Sequence, residues 1–123
     1  MSNTKKLVLA CAKAAIDKKA EDTLIYNVSE KSGFADYFLI TSAHNEKQVQ
    51  AICNEIVKVA HTLGLKKPHL EGYSHGRWIL IDFADVVVHV FHHYIREFYN
   101  LEELWGETPR LPVPSEYYSR SLN

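Results

Sequence analysis

The sequence predicts one small α/β domain, a mixed five-stranded sheet with helices packed on one face. Three observations predict it. Residues 5–19 and 46–63 repeat apolar side chains at helical spacing; five other segments read as short strands; and 123 residues can bury one core without disulfides or metals, with no room for a second. The predicted order is α-β-β-α-β-β-β, ending in a tight hairpin.

Leu7, Cys11, Ala14 and Ala15 share one face of the first helix, with Thr4 as its N-cap and Lys18 and Lys19 in its last turn, where cations favour the dipole. Its small residues imply close packing against a sheet. TLIYNVS at 23–29 is a short strand, SEKSG at 29–33 a turn, and DYFLITSA at 36–43 a second strand, placed inside the sheet by its unbroken Phe38-Leu39-Ile40 run. Asn45, with Gln48 three residues on, forms a capping box for the second helix. Val49, Ile52, Cys53, Ile56, Ala60 and Leu63 then recur at helical spacing until Gly64 ends it. HLEGY at 69–73 is a third strand.

Residues 77–83 and 86–91 are dense in Ile, Val, Phe and Trp, and only Ala84 and Asp85 separate them, which makes a β-hairpin. A two-residue loop fixes the register. Trp78 faces Phe91, Ile79 Val90, Leu80 His89, Ile81 Val88, Asp82 Val87 and Phe83 Val86. Alternation then collects Ile79, Ile81, Phe83, Val86, Val88 and Val90 on a core face, and Trp78, Leu80, Asp82, Val87, His89 and Phe91 on the other. That second face is too apolar to be purely solvated. Either another element covers it, as in two-sided α/β sheets, or it stays open for a partner, because Trp among aliphatic and a few polar groups is a common interface anchor. The hairpin alone does not choose.

Past the hairpin, Ile95, Phe98 and Tyr99 suggest a helical turn or two. Asn100 with Glu103 is a second capping box, opening a short helix whose Leu101, Leu104 and Trp105 face inward while Glu102 and Glu103 face water. Gly106 ends that helix. Pro109, Pro112 and Pro114 then mark residues 109–123 as an extended, disorder-prone tail after a domain spanning 1–108.

A hydrophobic content of 46% and a charged content of 24% are those of a soluble protein, and no apolar run reaches the roughly 20 residues of a membrane span. The amino-terminal stretch reads as a helix and not as a targeting segment, so a cytoplasmic location is expected. Cys11 and Cys53 fall on apolar helix faces and read as buried, reduced thiols. A formal charge of −1 disfavours broad nucleic-acid binding, and direct nucleic-acid readout is not expected. Between residues 82 and 107, however, six acids (Asp82, Asp85, Glu97, Glu102, Glu103, Glu107) face one base, Arg96, a balance of −5. An aromatic and acidic stretch suits a basic protein partner.

Enzyme chemistry is looked for and not found. The turn GFAD at 33–36 is similar to the nucleotidyltransferase arrangement of a Gly-containing turn before metal-binding carboxylates, but Asp36 is followed by Tyr37 and Phe38, so the second acid is missing. A lone Asp reads more readily as a turn residue. His89, His92 and His93 lack metal-ligand spacing, and adjacent His92 and His93 are expected to diverge. Neither a metal nor a cofactor is expected, and no residue is assigned a catalytic role. The competing reading is a metal-dependent nucleotidyltransferase or hydrolase with an atypical site.

GFADYFLITSA, KQVQAICNEI, RWILIDFADVVVHVF and REFYNLEELW, in that order over residues 5–108, resemble the Iojap-related family of ribosomal silencing factors, RsfS. The resemblance implies a fold related to nucleotidyltransferases without their catalytic acids. It further implies a translational repressor that binds the large ribosomal subunit through ribosomal protein L fourteen and blocks small-subunit joining by occupancy, without turnover; family members can also be homodimers when free. On that view the second hairpin face is open, with Trp78, Leu80, Asp82, Val87, His89 and Phe91 as the partner-binding residues. Ala84 departs from the Gly that the family pattern expects before Asp85, which weakens a type I′ turn.

Overall fold

The computed structural model describes residues 3–119. In chain order these form α1 (Asn3–Asp17), β1 (Glu21–Asn27), β2 (Tyr37–Ala43), α2 (Glu46–Thr62), β3 (His69–Glu71), β4 (Trp78–Asp82), β5 (Val86–His92), α3 (His93–Tyr99), α4 (Leu101–Leu104) and α5 (Glu116–Ser119). The strands make one mixed sheet in the order β1-β2-β5-β4-β3. Only β2 and β5 pair in parallel, and the crossover that such a pair requires is supplied by α2 with the β3–β4 hairpin. This puts β5 at the centre, buried from Val86 to Phe91, with the apolar β2 beside it.

The two long helices lie on one face. Val8, Cys11 and Ala15 of α1 and Val49, Ile52 and Ile56 of α2 close over Ile25, Leu39, Ile79, Ile81, Val88 and Val90. Each valine, leucine and isoleucine here, once buried, contributes about 1.5–3 kcal/mol. The alanines of α1 let its backbone approach the sheet, as their size implied. The shorter α3 and α4 belong to the opposite face, so the sheet is two-sided.

Local chemistry sets the helix ends. Asn45 caps α2, its Oδ1 accepting from the Gln48 N–H at 2.9 Å, while Gln48 Oε1 accepts from the His44 N–H at 3.2 Å. Gly64, at φ +91°, ends it in the left-handed region, with the Leu65 N–H donating back to the Ala60 carbonyl at 3.0 Å. At α1 the expected caps are corrected. The helix already includes Thr4, and it stops at Asp17, where Lys19 takes the left-handed position at φ +68° and Ala20 N–H returns to the Ala15 carbonyl. A lysine here does a task that usually falls to glycine.

The β4–β5 register is as expected, from Trp78 opposite Phe91 to Asp82 opposite Val87. The turn between them is a γ-turn. Ala84 sits at φ +74°, the Asp85 N–H reaches the Phe83 carbonyl at 3.0 Å, and Asp82 Oδ1 accepts from the Ala84 N–H at 2.8 Å.

Of the predicted tail, residues 109–119 are described and dock on the domain. Asn27 N–H donates to the Pro109 carbonyl at 2.8 Å and Leu111 N–H to the Ile25 carbonyl at 3.0 Å, so this segment covers the carboxyl-terminal part of the outer edge of β1. Leu111 and Val113 pack against the main core, and α5 rests on α1. Residues 120–123 of the predicted tail, like residues 1–2 of the predicted domain, lie outside the described residues.

Candidate interaction surface

The second face of the hairpin divides into a covered and an uncovered part. Val87, His89 and Phe91 on the central strand are buried with Tyr26, Val28, Phe38 and Ile40 in a second apolar cluster, roofed by Ile95 of α3, Leu101 of α4 and Trp105. The expectation of an open face is therefore corrected over β5. The covering residues arrive because β5 runs straight into α3, and α3 and α4 fold back over the strand from which they emerge. Trp78, Leu80 and Asp82 on β4 remain half-exposed beside that roof.

His89 shows how dry the covered part is. It is 8% exposed, stacks on Phe91 and meets Phe38 edge-on with ring centroids 5.5 Å apart. Burial disfavours its charged form and pushes its pKa down to about 4. At neutral pH it is an uncharged ring with an acceptor nitrogen, and the Trp78 indole uses it, donating Nε1–H to Nδ1 at 3.1 Å.

A groove of about 440 Å³ opens beside Trp78, walled by Leu80, Ile95 and Tyr99 and bounded by Glu71, Gly72, His75 and Arg77. Gly72 is required there. At φ +82° its Cα lies so close to Trp78 that a Cβ would collide with the tryptophan carbonyl. Tyr99 packs against Trp78 with the rings tilted by 51° and their centroids 4.9 Å apart. On the same helices Tyr94 is 68%, Phe98 79% and Leu104 72% exposed. Three large side chains so exposed on two short adjoining helices are a local concentration of apolar surface, whereas single exposed residues would need no explanation.

One buried ion pair holds these helices down. Arg96 is 6% exposed; its Nη2 lies 2.9 Å from Glu102 Oε2, its Nε donates to the same oxygen at 3.0 Å, and its Nη1 donates to Ser42 Oγ on β2 at 3.0 Å. This overturns the expected facing of α4. Leu101 and Trp105, four residues apart, define its inner side, and Glu102 and Leu104 flank that side at equal angles of about 80°. The guanidinium lies on the Glu102 side, so Glu102 turns in and Leu104 turns out. Nor does Asn100 cap α4 with its side chain; at φ +48° it ends α3 and re-aims the chain. Sequence spacing gave no sign of Arg96 as an anchor, because an arginine in an amphipathic segment reads by default as solvated.

His92 and His93 do not diverge: their rings stack at 5.0 Å, and His92 Nδ1 accepts from the Tyr94 N–H at the start of α3. Among the described residues no three His, Cys, Asp or Glu side chains come together as a metal site would need. Asp36 stands at the entry to β2, its N–H donating to the Asp85 carbonyl at 2.8 Å. Burial pushes the Cys11 thiol up to about 12 and that of Cys53 to about 11, which leaves both unreactive. No helix among the described residues is long and apolar enough to cross a membrane.

Residues 1–121 match the family model described as ribosomal silencing factor during starvation, RsfS. The chain is 52% identical over 113 residues to the ribosomal silencing factor RsfS of Halalkalibacterium halodurans, covering 92% of this chain and 96% of that one. It is 47% identical over 107 residues to the protein of the same name from Bacillus subtilis, covering 87% and 91%. A crystal structure from Bacillus halodurans superposes with a TM-score of 0.77 at 46% identity, over 88% of this chain and 98% of that one.

Proposed function

This chain belongs to the ribosomal silencing factor family, and from that premise we propose that it represses translation by binding the large ribosomal subunit through ribosomal protein L fourteen and obstructing the joining of the small subunit. Repression is by occupancy, in the cytoplasm, with no turnover. The observation that carries the reading is the open groove walled by Trp78, Leu80, Ile95 and Tyr99, with Phe98 exposed against Tyr99, Leu104 exposed on α4, and Glu97, Glu103 and Glu107 exposed nearby in the sequence. Ribosomal proteins that hold RNA are basic, and an acid-flanked apolar patch complements such a surface. Trp78 and Leu80 make contact in this scheme, with Asp82 at the far end of β4. His89 and Phe91 act from beneath by fixing the Trp78 ring, and Val87 lies buried beneath the Asp82 end of the hairpin. A second copy covering the same patch would give a free homodimer that excludes ribosome binding.

Cosedimentation with separated subunits tests the proposal. The protein should travel with the large subunit and keep added small subunits from joining it. Equal recovery with both subunits, or undiminished joining at saturating protein, would refute it.

A further inference from the structure

We propose that a groove between the carboxyl-terminal half of α2 and the 65–68 loop is a second docking site, which takes an acidic amphipathic segment of a partner protein. It lies on the other face of the sheet from α3 and α4, so it does not rest on the ribosome contact proposed above. The groove encloses about 620 Å³, room for several apolar side chains, and half-buried Val57, Leu65 and Pro68 line it. Exposed Lys58, Lys66 and Lys67 stand around it.

Two features identify the occupant. Among the described residues no carboxylate comes within ion-pair distance of Lys58, Lys66 or Lys67, and all three border the one groove. Three neighbouring cations without counter-charges set up a positive potential that attracts an anionic group. Between these lysines, with Asn54 and His61 also on the rim, Val57, Leu65 and Pro68 present apolar surface. A nucleic-acid backbone would satisfy the lysines but leave Val57, Leu65 and Pro68 against water. An extended or helical peptide with apolar residues on one side and Asp or Glu beside them satisfies both.

The test uses the full chain and a fluorescein-labelled amphipathic peptide carrying Leu and Glu on one face. Saturable binding should be seen by anisotropy, with amide shift changes centred on Val57, Leu65 and Lys66. Affinity should fall at least tenfold when Lys58, Lys66 and Lys67 are all changed to Glu, and at least tenfold when Ser replaces Leu in the peptide. The second arm needs no protein variant, so it stands even if charge reversal alters the fold. Absence of binding, or equal binding of the Ser peptide, would overturn the proposal. So would tighter binding of a single-stranded RNA oligonucleotide lost in the charge-reversed protein, which would make the site a nucleic-acid contact. Self-association lost in that same variant would assign the groove to a second copy.

Discussion

The indole of Trp78 donates to Nδ1 of His89, which is not its registered neighbour; the residue directly across the ladder from Trp78 is Phe91. The bond therefore runs diagonally across β4 and β5 and joins the exposed groove to the buried cluster. Because an indole N–H can only donate, Nδ1 must be the bare nitrogen, and the imidazole is held neutral in one tautomer.

Acid should break this relationship. An unfolded chain protonates His89 near 6.5, but the folded one only near 4. Between those values the unfolded state binds more protons, so His89's contribution is intact above about pH 6.5 and falls as pH drops towards 4. The loss amounts to roughly 3 kcal/mol. Urea midpoints measured from pH 7 to 4 should decline less steeply in His89→Phe than in the parent. Parallel curves would mean that other groups govern acid sensitivity.

Phe98→Ala and Leu104→Ala should separate binding from stability. Both side chains are exposed, so unfolding temperatures should stay within about 1 °C, while large-subunit affinity drops by about 1–2 kcal/mol for each anchor removed. Trp78→Ala should lower both quantities, because its ring also packs on Phe91 and Tyr99. Normal cosedimentation of the Phe98 and Leu104 variants would move the contact away from α3 and α4.

Arg96→Met should cost about 2–4 kcal/mol of folding stability by leaving the Glu102 carboxylate and Ser42 without their buried partner. Glu102→Gln keeps an acceptor and should cost less. Urea titration of the two single variants and the double variant gives their coupling directly. A double variant destabilised by the full sum of the two single effects would show that the pair does not act as one unit.

Ala84→Gly should stabilise the domain. An alanine at φ +74° carries a steric penalty that glycine does not, and its removal should outweigh the extra freedom of the unfolded chain by up to about 1 kcal/mol. Calorimetry should show a rise of a few degrees, and a fall would mean that the turn holds no strain.

Salt should weaken the proposed ribosome contact by screening the exposed acids of α3 and α4. Glu97→Lys with Glu103→Lys should reduce affinity for the large subunit more than Glu30→Lys, which lies on the loop after β1. Equal effects at two salt concentrations would leave the acidic stretch with no part in recognition.

What could be read from the sequence followed periodicity. The two long helices rest on a repeat of about 3.6 residues, the faces of the hairpin on a repeat of about 2 and the other strands on apolar segments bounded by turns, while Asn45 and Gly64 announced the ends of α2 through side-chain chemistry. The face shared by Trp78, His89 and Phe91 was legible, but not its partial cover, because that depends on where α3 and α4 fold back in space. Glu102 and Leu104 were misplaced for a related reason: two positions equivalent by spacing were separated by a buried guanidinium contributed from another helix. The docking of residues 109–111 on β1 was hidden by their prolines, which mark irregular chain without saying against what it lies.

That docking also decides how the sheet can meet its own kind. A strand edge grows into a polymer only if each molecule offers one free edge to the last arrival and another to the next. Here Pro109 and Leu111 occupy the outward bonding groups of Asn27 and Ile25, which shortens the edge that β1 can offer, and the opposite edge, β3, is only three residues long and bears exposed His69 and Glu71. Neither edge presents the long, bare run of backbone groups that strand addition from molecule to molecule would need.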